Sequence, residues 1–195
     1  RMVDENPKLF GLALKASDVR PILKSGRRFV FVSMENGSPV AGDLSLMKAF
    51  YDQGVRMMGP VHFLNNDLAD SATDPKGPEW GGLSPQGKAF VAEANRLGVV
   101  LDASHASDQV LDQMLALSKA PIILSHSGVK AVYPHPRNID DDRLRALAAK
   151  GGVIQINAFS GYMKDIPKIP EREAALAQLT KDYGSARSLT PERRA

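Results

Sequence analysis

Val99–His126 reads VVLDASHASDQVLDQMLALSKAPIILSH, and this stretch decides the fold. Val99–Ala103 is a short apolar run. Asp108–Ser118 carries Val110, Leu111, Met114 and Leu115 at helical spacing, and Pro121–Leu124 is a second apolar run. A strand, a helix of about ten residues and another strand form a βαβ unit, whose strands lie parallel. Both runs are almost continuously apolar, as strands covered on both faces must be.

The same alternation extends outward. Upstream, Ser84-Pro85 opens a helix that runs to Leu97 and stops at Gly98, with Ser84 as N-cap and Pro85 in the first turn. Before it, Arg28–Met34 (RFVFVSM) predicts a strand. Asp43–Gln53 predicts a helix with Asp43 as N-cap and Gly54 as its stop. Val55–Val61 (VRMMGPV) predicts a strand that Gly59-Pro60 must shorten or bulge. Phe63 to Leu83 is a long polar loop, and a loop of that length is more often functional than idle. Downstream, Asp140–Lys150 predicts a helix, Gly151-Gly152 its stop, Val153–Ala158 (VIQINA) a strand and Glu171–Asp182 a last helix. The count is five strands. An open doubly wound sheet accommodates five, whereas a complete (β/α)₈ barrel needs about 250 residues. A barrel reading of these 195 residues is therefore a reading of part of one.

Composition removes other classes. Hydrophobic residues are 43% and charged residues 24%, so the chain is not disordered by composition. The net charge of +3 is spread thinly, with no basic arm for nucleic acid or a membrane surface. No apolar run approaches the roughly 20 residues of a membrane span. The absence of Cys excludes disulfides, a thiol nucleophile and thiolate metal sites.

In parallel architectures, ligands bind at the carboxyl ends of strands. Glu35, His62, His105 and His126 each follow a predicted strand, and Asn157 closes the last one. Three of the four His stand in equivalent places; His135 alone lies in a turn, YPHPRN. One such His is ordinarily a hydrogen-bonded loop residue, but three with a Glu point to a metal site built from several strands. A serine nucleophile at Ser125 or Ser127 has no G-x-S-x-G elbow, and neighbours of His126 on a regular strand face away from it. Neither phosphate-binding glycine motif is present. Asp102 is either a carboxylate that orients an imidazole or a satisfied buried Asp. Arg137 is either a surface Arg or a fork for a substrate carboxylate. Asp140, Asp141 and Asp142 suit a helix N-terminus.

Three stretches, GVRMMGPVHFLNNDLADS from Gly54, GLSPQGKAFVAEANRLGVVLDASHAS from Gly82 and APIILSHSGVKAVYPHPRNIDDD from Ala120, carry a resemblance. Between about Phe29 and Tyr162 the chain resembles the membrane (renal) dipeptidase family of zinc metallopeptidases, which have amidohydrolase-like (β/α)₈ barrels. The resemblance implies that Glu35 is a metal-bridging carboxylate, with Glu35-Asn36-Gly37 standing where Glu-Gly-Gly is usual. It implies that His105 and His126 ligate the second zinc, that His62 faces the substrate carbonyl, and that Arg137 holds the substrate's terminal carboxylate. Two family features are absent. No His precedes His62, so there is no first-strand His-x-Asp, and nothing after Tyr162 matches the distal Asp of a Gly-Ser-Asp-Phe-Asp-Gly-like segment.

The expectation is therefore a single domain over 1–195, a partial (β/α)₈ barrel of about five βα units, with residues 163–195 as an unmatched tail. The implied function is zinc-dependent hydrolysis of dipeptides by a metal-activated water. His62 would stabilise the oxyanion and Arg137 would select a free carboxylate. The alternatives are a metal-dependent amidohydrolase acting on another amide or a lactone, or a non-catalytic ligand-binding domain. A complete family member holds two Zn²⁺. Glu35, His105 and His126 suffice for at most one here, so the chain reads as part of a longer protein and as inactive by itself. The implied partner is a small dipeptide, with no nucleic acid, no transmembrane segment and a possible homo-oligomer. Any export signal would precede Arg1, which leaves the compartment open.

Overall fold

A computed structural model of the protein describes residues 2–184. The chain divides into two compact units, Arg1–Met163 and Lys164–Ala195. The second contains a helix, Pro170–Tyr183, and the part of the expected tail beyond residue 184 lies outside the described residues.

The first unit opens with a short helix α1 (Met2–Glu5) and then alternates strands and helices in the order β1 (Phe10–Leu12), α2 (Ala16–Lys24), β2 (Arg28–Val30), β3 (Val32–Met34), α3 (Ser38–Ala41), α4 (Leu46–Asp52), β4 (Val55–Met58), α5 (Pro85–Leu97), β5 (Val100–Leu101), α6 (Asp108–Leu117), β6 (Ile123–Val129), β7 (Asn138–Ile139), α7 (Asp141–Ala149) and β8 (Val153–Ile156). Every strand pairing is parallel: β1 with β2, β3 with β4, β4 with β5, and β6 with both β7 and β8. A single parallel bridge, Asp102 to Ile123, joins β5 to β6. Apart from the two-residue β7, which pairs with the far end of β6 at Gly128 and Val129, the pairings follow chain order, as in a barrel and unlike a doubly wound sheet. The fold is thus a partial α/β barrel of five strand–helix units and one further strand.

Three details depart from the sequence expectation. The predicted strand Arg28–Met34 is interrupted at Phe31. Its first half pairs with β1 and its second with β4, so one run of sequence serves two neighbours. β1 itself was not predicted; three residues, Phe-Gly-Leu, give too little pattern, and its place is set by pairing with β2. Asp43 does not cap its helix. The helix starts later, at Leu46 after Ser45, and Asp43 Oδ1 instead accepts from Ser45 N–H at 2.9 Å. The expected helix start at Ser84, the Asp140 helix start and the Gly98 stop are present, and Ser107 caps α6 as well. Ser84, Ser107 and Asp140 each accept an N–H of the first turn, and Gly98 ends α5 in the left-handed region at φ 75°.

Gly59-Pro60 shortens β4 to four residues, and its register against β3 shifts by one between Val55 and Met57. The core lies between the sheet and its helices, with Met58, Leu101 and Leu124 from the strands against Phe90, Leu111, Met114 and Leu147 from the helices. Among the described residues, no helix is long and apolar enough to cross a membrane.

Candidate metal and substrate site

The carboxyl ends of β3, β4, β5 and β6 converge on one cleft of about 340 Å³, lined by Glu35, His62, Phe63, His105, His126, Arg137, Asn157, Phe159 and Tyr162. All five residues singled out from sequence, Glu35, His62, His105, His126 and Arg137, stand in it. Tyr162 and Phe159 were not anticipated. They follow the last strand in the run AFSGY, whose aromatic pair was the available signal.

Glu35 Oε1 lies 3.0 Å from His105 Nε2 and 3.1 Å from His126 Nε2, and the two Nε2 atoms are 3.0 Å apart. His62 Nε2 is farther, at 3.6 Å from the same oxygen, and its ring packs 4.1 Å from those of His105 and Phe63. Tetrahedral zinc with bonds of about 2.0–2.1 Å separates its donors by about 3.3 Å, so the inner three atoms are within a few tenths of an ångström of a ligand triangle. One carboxylate oxygen and two imidazole nitrogens also form the His₂Glu donor set of catalytic zinc. Glu35, His62 and His105 likewise satisfy the spacing of a metal group, with ligand atoms within 4.8 Å of one another.

His105 is buried, 5% exposed, and desolvation pushes its pKa down to about 3, assisted by the positive charge of Arg137 and by the neighbouring imidazoles. It is therefore neutral across the physiological range, with a lone pair to offer.

The backbone explains how Glu35 reaches the cleft. Asn36 takes φ 75°, a left-handed conformation that Gly adopts freely and Asn tolerates best among the other residues. Gly37 is required for another reason. A Cβ there would stand 2.5 Å from Leu68 Cδ1 and 3.0 Å from the Pro60 carbonyl. The long loop after β4 fixes the rest. Asn66 donates to Asn36 Oδ1 and to the Pro60 carbonyl, and Ser71 Oγ donates to the His62 carbonyl at 2.6 Å. Buried Asp70 gathers the loop by accepting from the N–H groups of Glu79, Trp80 and Gly82.

Asp102 proves to be a satisfied buried carboxylate that also supports the site. Its Oδ1 accepts from Ser104 N, Ser104 Oγ and Ser125 N, and its Oδ2 accepts from Ser125 Oγ. Ser125 was expected to face away from His126. Instead its Oγ is 2.8 Å from His126 Nδ1. The reason is a bulge: β6 advances from Leu124 to Ser127 while β8 advances from Ile154 to Ile156, so strict alternation fails there.

Arg137 is 1% exposed, and burial lowers its pKa, with Tyr162 opposing the shift. Its Nη2 donates to the His126 carbonyl at 3.0 Å, its Nε is buried without a partner, and the guanidinium lies 5.5 Å from the Tyr162 ring. No carboxylate forms an ion pair with it among the described residues. His135, expected in a surface turn, is half-buried: its ring packs 4.4 Å from Tyr162 and its Nδ1 accepts from Arg137 N–H.

A parallel strand–helix barrel with a carboxylate and imidazoles at its strand ends belongs to the class of barrels that collect metal donors from several strands. Comparison with known proteins is specific within that class. The sequence matches the membrane dipeptidase family (peptidase family M19) over residues 1–186, and the chain belongs to that family. It is 36% identical over 189 residues to an uncharacterized dipeptidase of Schizosaccharomyces pombe, covering 94% of this chain and 46% of that protein. The probable dipeptidase PvdM from Pseudomonas aeruginosa superposes with a TM-score of 0.81 at 33% identity, covering 99% of this chain and 53% of that one. A metallo peptidase from Rhodobacter sphaeroides, solved with a phosphinate mimic of the dipeptide L-Ala-D-Ala, superposes at 0.72 with 28% identity, covering 90% and 52%. The chain thus spans about half the length of the relatives it matches.

Proposed function

We propose that this chain carries the metal-binding and carboxylate-recognition parts of a zinc dipeptidase. The observation that carries the reading is the triangle of Glu35 Oε1, His105 Nε2 and His126 Nε2, which shares one cleft with the buried Arg137 guanidinium, a cation with no carboxylate ion pair among the described residues. Glu35, His105 and His126 would hold the ion. When bound, zinc supplies Lewis acidity toward the scissile carbonyl and a nucleophile from water at neutral pH.

The protein's own groups divide the remaining work. Arg137 takes the terminal carboxylate of the substrate. A buried cation without a carboxylate partner gains more from such an anion than an exposed one does. That contact fixes one end of the peptide and so limits its length. His62, beside Glu35 but outside the tight triangle, donates a hydrogen bond to the oxygen that gains charge as the carbonyl is attacked. Phe63, Phe159 and Tyr162 form the aromatic side of the cleft. The dipeptide substrate class also draws support from the phosphinate dipeptide mimic held by the Rhodobacter sphaeroides relative.

Zinc binding by the isolated chain tests this. Competition against a chromophoric chelator should show one equivalent per chain, abolished in His126→Ala and retained in His135→Ala. A phosphinate dipeptide mimic should bind the zinc-loaded chain and lose affinity in Arg137→Met. The chain by itself should turn over no dipeptide, because the first-strand His-x-Asp and the distal Asp are absent. Two tightly held equivalents, or zinc binding that survives His126→Ala, would overturn the reading.

A further inference from the structure

We infer that Ser125 is a positioning residue: it relays the acceptor character of buried Asp102 to His126, and so fixes the imidazole tautomer that leaves Nε2 free for a metal. The inference rests on the proposed role of His126, but its structural core is independent of any ion.

The argument is a proton count. Asp102 receives four hydrogen bonds, from Ser104 N, Ser104 Oγ, Ser125 N and Ser125 Oγ, and donates none, so it acts purely as an acceptor. Each serine hydroxyl has one proton. That of Ser104 goes to Asp102 Oδ1 at 2.7 Å, which leaves its oxygen to accept from His126 N–H at 3.0 Å. That of Ser125 goes to Asp102 Oδ2. At its 2.8 Å contact with His126 Nδ1, Ser125 Oγ must then accept, so Nδ1 carries the imidazole proton and Nε2 carries the lone pair.

That nitrogen lies 3.1 Å from Glu35 Oε1, which is also an acceptor, and 3.0 Å from His105 Nε2. Two acceptors at this distance share no proton of their own and favour a cation beside them. The relay thus sets the electronic state of one donor before any ion arrives. His105 has no such support, since its Nδ1 is buried without a hydrogen-bond partner. The two imidazoles of the triangle are therefore held differently, one by a carboxylate–hydroxyl chain and the other by burial.

The test uses the full chain without metal and then with Zn²⁺ alone. Long-range ¹H–¹⁵N NMR of the metal-free protein should show His126 protonated at Nδ1. Ser125→Ala should release it to a tautomer mixture, and Ser125→Thr, which keeps the hydroxyl, should preserve it. Asp102→Asn is the sharper variant. Its Oδ1 can keep three donors while its amide donates to Ser125 Oγ, so the serine proton turns to His126 Nδ1 and the imidazole proton moves to Nε2. Zinc affinity should fall about 10–100-fold in Ser125→Ala and in Asp102→Asn, the usual cost of losing a group that orients a ligand, and should stay near wild type in Ser125→Thr. An Nε2–H tautomer in the wild type would overturn the relay. So would a tautomer and zinc affinity unchanged by Ser125→Ala while His126→Ala abolishes binding. If His126→Ala binds zinc like the wild type, the metal reading beneath the proposal fails and the positioning role falls with it.

Discussion

The interior strands and the outer strands of this partial barrel hold their polar groups in opposite ways. In the interior, Asp70 and Asp102 are buried, and each is surrounded by N–H or hydroxyl donors from its own loop or neighbouring strand. Toward the outer strands, Glu35 is half exposed, and among the described residues its close contacts are the imidazoles alone. The edge strand β8 leaves Val153 and Ile156 more than half exposed, and Phe29 and Phe31 are exposed around β2. A buried carboxylate fully served by donors rigidifies what surrounds it, whereas one contacted only by imidazoles is free to change partners. The site thus spans a rigid wall and an adaptable one.

The largest break in that comparison should come from the rigid side. A Cβ at Gly87 would stand 1.9 Å from the Leu68 carbonyl oxygen, so Gly87→Ala must push the long loop off α5. Asp70→Ala strands three N–H donors. Each substitution should cost about 3 kcal/mol or more in urea unfolding. A loss below about 1 kcal/mol would mean that the loop is not fixed as described.

Next in size is a pH effect in the metal-free chain. Unfolded His takes up its proton near 6.5, whereas buried His105 does so only near 3. Between those values the unfolded chain binds the extra proton, so stability falls as pH drops below 6.5, with a slope of up to about 1.4 kcal/mol per pH unit from this residue. Above 6.5 His105 contributes no pH dependence. His105→Asn should flatten that part of the stability profile, and an unchanged slope would show that His105 is not held neutral.

Gly98→Ala, on the interior helix, forces a side chain into the left-handed region and should cost about 1–2 kcal/mol, read as a shift in unfolding midpoint. At the small end, Ile156→Thr on the open edge should change stability by about 0.5 kcal/mol or less. A cost approaching that of Asp70→Ala would abolish the distinction between interior and edge.

What sequence reasoning could reach follows the same division. Helices with strong caps, such as Ser84-Pro85 to Gly98, were legible because the capping chemistry is local. That Glu35, His62, His105 and His126 would gather in one cleft was legible because parallel strands present their carboxyl ends together, whereas Arg137, in the turn before β7, joined them through the family resemblance. β1 was not, since three residues carry no periodicity and only pairing with β2 defines them. The support of His126 was hidden for another reason. Its neighbours Ser104 and Ser125 are visible in DASH and LSHS, but strand alternation assigns Ser125 to the wrong side, and only the register against β8 reveals the exception. Asp70 gave no signal because its partners are backbone groups, which any sequence supplies.

The bulge in β6 has a further consequence, for how this site tolerates insertions and deletions. Buried positions along β6 fall at Leu124 and Ser127, three apart rather than two. Deleting either residue between them, Ser125 or His126, would restore even pleating and remove the hydroxyl or the imidazole, while the strand kept its hydrophobic residues and its pairing. A lineage could therefore lose the imidazole proposed as a ligand without losing the fold, by a single codon deletion that composition and hydropathy would barely register. The length of the segment between the Ile-Leu pair and the Ser-Gly pair therefore matters to the placement of this imidazole as much as the presence of the histidine itself.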